Sequence, residues 1–187
     1  MRHRRDDVVD RALAVLDVHG LPDLTMRRLG NELGVQPSAI YHHFADKQTL
    51  LAAVADTILA RGGRPLPEGS WEERARASCH TLRDACLAWT DGAEVVATVR
   101  AFGLGARAPY DELVGVLTEG GLDPELAGTA SRTLLHFVLG HALDEQTHRQ
   151  AGSAGAIASD PTSTDHTSDF ETGLDLVLAG LAVRATR

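Results

Sequence analysis

The feature that most restricts this chain is the stretch Leu24-Thr25-Met26-Arg27-Arg28-Leu29-Gly30-Asn31-Glu32-Leu33-Gly34-Val35-Gln36-Pro37-Ser38-Ala39-Ile40-Tyr41-His42-His43-Phe44. Thr25 suits the N-cap of a short helix over 26–33, because its hydroxyl can accept a backbone N–H left without a partner there. Gly34 follows, and glycine takes the left-handed conformation of a helix stop at little cost. Pro37 suits the first position of a further helix, where its missing N–H is harmless. That helix is predicted to run to about Phe44. Leu29, Leu33, Val35 and Ile40 have the spacing to pack the two helices together. The second helix opens with three small residues, Pro37, Ser38 and Ala39. Small side chains let the backbone approach base edges, and a major groove about 12 Å wide admits such a helix. Tyr41, His42, His43 and Lys47 supply donors for phosphate oxygens, which fix position without reading sequence.

Helical periodicity continues on both sides. Val8, Val9, Ala12, Leu13, Val15 and Leu16 recur at helical spacing over 6–18, and Gly20-Leu21-Pro22 should end that helix. Asp46 is the cap expected for a fourth helix, bearing Leu50, Leu51, Val54, Ile58 and Leu59 and interrupted at Gly62-Gly63. The Pro/Gly-rich run 64–69 reads as a boundary between an N-terminal domain, 1–63, and a second domain, 64–187. Ser70-Trp71-Glu72-Glu73 is a capping box opening a helix to about Trp89. Further helices are expected over 91–104, 109–120, 123–148 and 169–184, with 150–168 a low-complexity loop. The chain is therefore expected to be all-α, with about nine helices: a three-helix helix-turn-helix domain followed by a helical C-terminal domain, which the family resemblance given below assigns to ligand binding and dimerisation.

Charge bears on the partner. The net charge is −8, but residues 1–61 carry eight Lys+Arg and eight Asp+Glu, so the whole excess lies beyond them. A neutral N-terminal part can still offer a local basic face to phosphate. No signal peptide is read at the charged start, and the apolar run 176–183 is too short to span a membrane. Cys79 and Cys86 lie seven apart on one face of a helix, where no disulfide can form. They read as core residues of a cytoplasmic protein.

At Tyr41-His42-His43-Phe44-Ala45-Asp46-Lys47-Gln48-Thr49-Leu50 the chain resembles the TetR family of regulators, whose hallmark is Tyr-x-His-Phe-x-x-Lys-x-x-Leu after a glycine-turn helix. Ser70-Trp71, Asp91-Gly92-Ala93, the run 137–146 and the run 170–181 are similar to the tetracycline repressor subgroup. The resemblance implies that Arg27 reads a base, guanine by its bidentate geometry. It implies van der Waals contact with bases from Pro37, Ser38 and Ala39, and phosphate contacts from Thr25, Tyr41, His42, His43 and Lys47. It further implies a homodimer through helices 123–148 and 169–184, with Gly140, Gly173 and Gly180 allowing close approach. Such a dimer reads a palindrome in double-stranded operator DNA, with half-sites about 34–36 Å apart.

The same resemblance bears on the effector. The subgroup holds its drug through magnesium on a histidine, and Val96 stands at the matching position. Gly63 and Ser78 stand where a histidine and an asparagine grip the drug. The replacements leave a more apolar pocket, with Leu82, Val96, Val99, Phe102 and Leu135 as walls and Ser78, Arg100 and Ser131 as polar points. Such a pocket suits a small, largely apolar effector; plain core packing would use the same residues. His141, Asp144, Glu145 and His148 share a helix face at a spacing that could ligate zinc. A polar stripe at a dimer interface or a solvated helix end is the stronger reading of that spacing, and no metal or cofactor is assigned.

An enzyme is the rival of another class. Gly103-Leu104-Gly105-Ala106-Arg107-Ala108 matches a dinucleotide fingerprint, which needs a strand before it and a helix after it in a parallel sheet. No other strand candidates are present to build that sheet, and no nucleophile, P-loop or metalloprotease motif occurs. The expected function is a repressor released from its operator by an effector. A ligand-independent regulator or an activator on the same fold is the alternative.

Overall fold

The computed structural model describes residues 3–153 and 166–185 of the chain. All regular structure among them is helical: α1 (Arg5–Asp23), α2 (Met26–Leu33), α3 (Pro37–Tyr41), α4 (Lys47–Gly62), α5 (Trp71–Leu87), α6 (Gly92–Ala101), α7 (Ala108–Glu119), α8 (Pro124–Ser153) and α9 (His166–Ala185). The central part of the expected loop, 154–165, lies outside the described residues. Residues 150–153 extend α8, and 166–168 open α9.

Two compact units emerge. The first joins residues 1–62 to 85–106, and the second joins 63–84 to 107–187. In the first, the apolar stripe of α1 buries Val8, Val9, Ala12, Leu13, Val15 and Leu16, and α1 packs on both α2 and α4. Gly20, at φ 75° and ψ 173°, breaks the helical path of α1, and a last turn carries it to Asp23. α4 buries Leu50, Leu51, Val54, Ala55 and Ile58 and also packs on α6. Ile40 and Phe44 are each only 1% exposed. A buried phenylalanine of this kind contributes about 3–5 kcal/mol, so Phe44 is a strong anchor for the short α3.

In the second unit α8 packs on both α7 and α9. The expected capping box opens α5, with the Ser70 N–H donating to Glu73 Oε2 at 2.8 Å and the Glu73 N–H donating to Ser70 Oγ at 3.3 Å. Arg83, Glu145 and Phe170 meet in this unit: Arg83 donates to Glu145, and its guanidinium lies 5.0 Å from the centre of the Phe170 ring. The Gly103–Ala108 run is not part of a sheet. It is the turn after α6, with no strand among the described residues, which removes the dinucleotide reading.

Candidate nucleic-acid interface

The turn between α2 and α3 is built by local chemistry. Thr25 Oγ1 accepts the Arg28 N–H at 3.1 Å, as an N-cap should. Gly34 sits at φ 66° and ψ 31°, the left-handed conformation that closes α2. The Val35 N–H then returns to Gly30 O at 2.9 Å. Gly30 is needed for closeness: a Cβ there would lie 2.9 Å from Val35 O and 3.4 Å from Pro37 N.

α3 is one and a half turns long, shorter than its sequence suggested. It ends at Tyr41, and the His43 and Phe44 N–H groups both return to Ile40 O, at 2.9 and 3.1 Å. His42 and His43 therefore lie on the turn to α4 rather than inside the helix. Ile40 and Phe44 point inward, whereas Tyr41 is 50% exposed. Thr25, Arg27, Ser38 and His42 are exposed; Pro37, Ala39, His43 and Lys47 are half-buried. A groove of about 920 Å³ beside the turn is lined in part by Leu33, Val35, Ala39, His42 and His43.

Lys47 begins α4, behind the expected Asp46 cap. Asp46 Oδ1 accepts the Thr49 N–H at 2.7 Å and the Thr49 hydroxyl at 2.8 Å. The backbone bond from Thr49, followed by its hydroxyl, holds the Asp46 carboxyl below the usual aspartate value. Among the described residues, neither Arg27 nor Lys47 has a carboxylate within ion-pair distance, whereas the adjacent Arg28 pairs with Asp23 at 3.4 Å. An exposed aromatic, small side chains at the start of α3 and two uncommitted cations suit a phosphate-lined groove.

The residues expected around an effector divide between the units. In the second unit, Ser78, Leu82, Ser131 and Leu135 are buried. Ser78 Oγ donates to Glu112 Oε1 at 2.6 Å, a partner that sequence reasoning missed, and Ser131 Oγ donates to Ala127 O at 2.8 Å. In the first unit, Val96 and Val99 are buried, and Arg100 Nη1 donates to Ala106 O at 3.3 Å. Phe102, expected as an apolar wall, is 59% exposed, because α6 stops at Ala101 and Gly103 (φ 68°) turns the chain away.

Two residues of the helix face considered for zinc have protein partners. Glu145 accepts from Arg83 and Arg149, and His141 Nε2 lies 2.7 Å from His166 O. Among the described residues no group of three potential ligands could hold a metal. Val96, fully buried and apolar, offers no donor where the subgroup has its histidine, so the residues present do not fit a magnesium ion there. Burial pushes the Cys79 and Cys86 thiols up to about 12, the ionisation of inert core cysteines.

Comparison with known proteins places this geometry. Residues 8–54 match the family described as bacterial regulatory proteins, tetR family, and residues 64–161 match the tetracyclin repressor-like C-terminal domain. The chain belongs to the TetR family of bacterial regulatory proteins and is a transcription regulator, not an enzyme. It is 32% identical to the Escherichia coli tetracycline repressor protein class A from transposon 1721, over 95% of this chain and 89% of that protein. It is 40% identical to Mycobacterium smegmatis BioQ, with a TM-score of 0.89 over 97% of this chain and 99% of that one. A BioQ structure with its double-stranded DNA operator is 38% identical, with a TM-score of 0.83 over 96% of this chain and 98% of that one. Streptomyces coelicolor ActR in complex with (S)-DNPA is 31% identical, with a TM-score of 0.81 over 98% of each chain.

Proposed function

We propose that this protein is a cytoplasmic, homodimeric repressor that binds palindromic operator DNA and is released by a small, largely apolar effector. Arg27 reads a base edge; Pro37, Ser38 and Ala39 approach bases closely; Thr25, Tyr41, His42, His43 and Lys47 hold phosphates. The observation that carries the reading is the half-exposed Tyr41 at the end of α3, between the buried Ile40 and Phe44, with Lys47 opening α4 without a carboxylate partner among the described residues. BioQ, seen with its operator, supports the DNA partner. The domain division follows the same reading, with 1–63 binding DNA and 64–187 serving ligand binding and dimerisation. No helix among the described residues is long and apolar enough to cross a membrane.

The dimer forms through α8 and α9. Leu143, Leu176 and Val183 are large apolar residues left exposed on these helices. A Cβ added at Gly140 or Gly180 would meet nothing within 4 Å, leaving room for a partner backbone, whereas one at Gly173 would strike the chain's own Phe137 ring at 2.6 Å. Only the first two glycines therefore serve the interface.

The effector acts by population shift. It binds in the second unit beside the buried Ser78, Leu82, Ser131 and Leu135; ActR, seen in complex with (S)-DNPA, supports a small-molecule partner. It favours a spacing of recognition helices that no longer matches successive major grooves. Within the first unit α4 carries the response, because it begins at Lys47 and its Asp56 Oδ1 accepts the Ala106 N–H, after α6, at 2.8 Å. Coupling of this kind is about 1–3 kcal/mol, or 5–150-fold in affinity, and DNA must weaken effector binding by the same factor.

A mobility-shift assay tests this, with intergenic DNA beside the protein's own gene and a panel of apolar metabolites. A specific shift released by one compound is expected. A shift that every saturating compound leaves unchanged contradicts effector control and favours the ligand-independent reading.

A further inference from the structure

The cations of the first unit fall into two groups. Arg11, Arg28 and Arg61 each meet a carboxylate, on Glu32 at 3.9 Å, Asp23 at 3.4 Å and Asp10 at 2.5 Å. Arg100 bonds the Ala106 carbonyl. Among the described residues, the cations of this unit with no ion-pair partner are Arg27, Lys47, Arg4 and Arg5. The first two are the cations of the DNA interface described above. The other two share their electrostatic state but lie on the segment that opens α1, Arg4 as its N-cap and Arg5 as its first residue.

That segment is fixed against the same surface. His3 Nε2 lies 3.0 Å from Leu33 O at the end of α2, and His3 lines the groove that Ala39, His42 and His43 also line. Two residues on, the Arg5 guanidinium lies 4.7 Å from the centre of the Phe44 ring. Arg5 also borders a second groove with Thr49 and Ala52 on the first turns of α4. The segment His3–Arg5 thus runs from the end of α2 to the start of α4, past the turn carrying His42 and His43. Arg4 and Arg5 are both exposed. The acidic residues that follow serve α1: the Arg4 N–H donates to Asp7 Oδ2 at 2.7 Å, and Asp6 and Asp7 complement the positive end of the helix.

We propose that Arg4 and Arg5 make a second, sequence-independent contact with the DNA backbone, flanking the one made by α3 and the start of α4. A guanidinium stacked on an aromatic face keeps the N–H donors of its edge free, and that planar fork matches phosphodiester oxygens. The Phe44 ring would hold Arg5 in place before DNA arrives, while Arg4 reaches from the adjoining exposed position. The contact adds affinity and salt dependence but no sequence preference.

The test is binding by fluorescence anisotropy across a salt series. The probes are a palindromic duplex selected by the wild-type protein from a random-sequence pool, and an unselected duplex. Each phosphate contact contributes about 0.9 to the slope of log affinity against log salt, so a dimer losing one contact per subunit loses about 1.8. For Arg4→Ala and for Arg5→Ala, the fall in affinity between about 50 and 200 mM salt should shrink roughly tenfold on both duplexes. Arg64→Ala, which removes an exposed arginine paired with Asp84 in the other unit, should match wild type. Circular dichroism confirms folding, and Arg5→Lys, which keeps the charge, should retain most of the slope. The proposal is overturned if both alanine variants keep the wild-type slope while Lys47→Ala flattens it, a result that leaves DNA binding itself intact. Losses confined to duplexes with A·T-rich flanks also overturn it, in favour of insertion into the minor groove.

Discussion

Glu145 Oε2 accepts hydrogen bonds from both Nε and Nη2 of Arg83, at 3.1 and 2.6 Å, with Glu145 only 2% and Arg83 only 9% exposed. Arg149 reaches the other carboxylate oxygen from one turn along α8. Removing one partner of a buried ion pair leaves an uncompensated charge, whereas replacing both by apolar groups is often neutral. Glu145→Ala should therefore cost about 3–5 kcal/mol in urea unfolding. The double variant Arg83→Met/Glu145→Leu should recover most of that loss. Equal destabilisation in the single and double variants would show that the pair contributes favourably beyond its mutual compensation.

The left-handed Gly34 gives a second prediction, local to the first unit. An L-residue in this conformation costs about 1–2 kcal/mol, although open space surrounds the position. Gly34→Ala should lower stability by that amount, with little change in the slope of the denaturation curve. Gly30→Val should act differently, because its first side-chain carbon already meets Val35 O. It should separate α2 from α3 and abolish operator binding while the protein stays helical by circular dichroism.

Asp46 provides a pH dependence with a defined sign. Its carboxyl is held below the usual aspartate value by the Thr49 N–H and hydroxyl. Its contribution is therefore present above the ordinary aspartate range and is lost as pH falls through the lowered value. The melting temperature of Asp46→Ala should lie below that of wild type at neutral pH, and the two should converge in acid. A gap that persists unchanged in acid would show that the carboxylate charge plays no part in the cap.

Arg27 has a separable role from the phosphate ligands. Arg27→Ala should cost about 1–3 kcal/mol on the preferred duplex and relax preference at one base position in each half-site. Tyr41→Ala should instead weaken binding to all sequences alike. Competition against duplexes substituted singly along the half-site separates the two. Uniform weakening by Arg27→Ala would remove its base-reading role.

Much of this architecture was legible because it rests on short-range chemistry. Thr25, Gly34, Pro37, Asp46 and the Ser70–Glu73 box each act within a few residues, and each acts as its side chain dictates. What was not legible depends on distant partners. The periodicity of 91–104 announces a buried face but not its neighbour, and residues 85–106 group with the first unit. Arg83 and Glu145 are 62 residues apart, and Ser78 finds Glu112 34 residues away. Phe102 reads as core by its apolarity, yet the turn at Gly103 leaves it exposed. Arg4 and Arg5 were hidden by Asp6 and Asp7, whose charges cancel theirs in any count along the chain. The signal that singles them out is spatial: their side chains, unlike those of Arg11, Arg28 and Arg61, meet no carboxylate among the described residues.

Selection of binding sites from a random-sequence duplex pool decides whether residues 25–47 of a homodimer read operator DNA. The wild-type protein should enrich a palindrome whose half-sites lie about 34–36 Å apart, one turn of the double helix. The pool bound by Tyr41→Ala/Lys47→Ala should show no comparable enrichment. Failure of the folded wild-type dimer to enrich any sequence, or enrichment of a lone half-site without symmetry, would contradict the account.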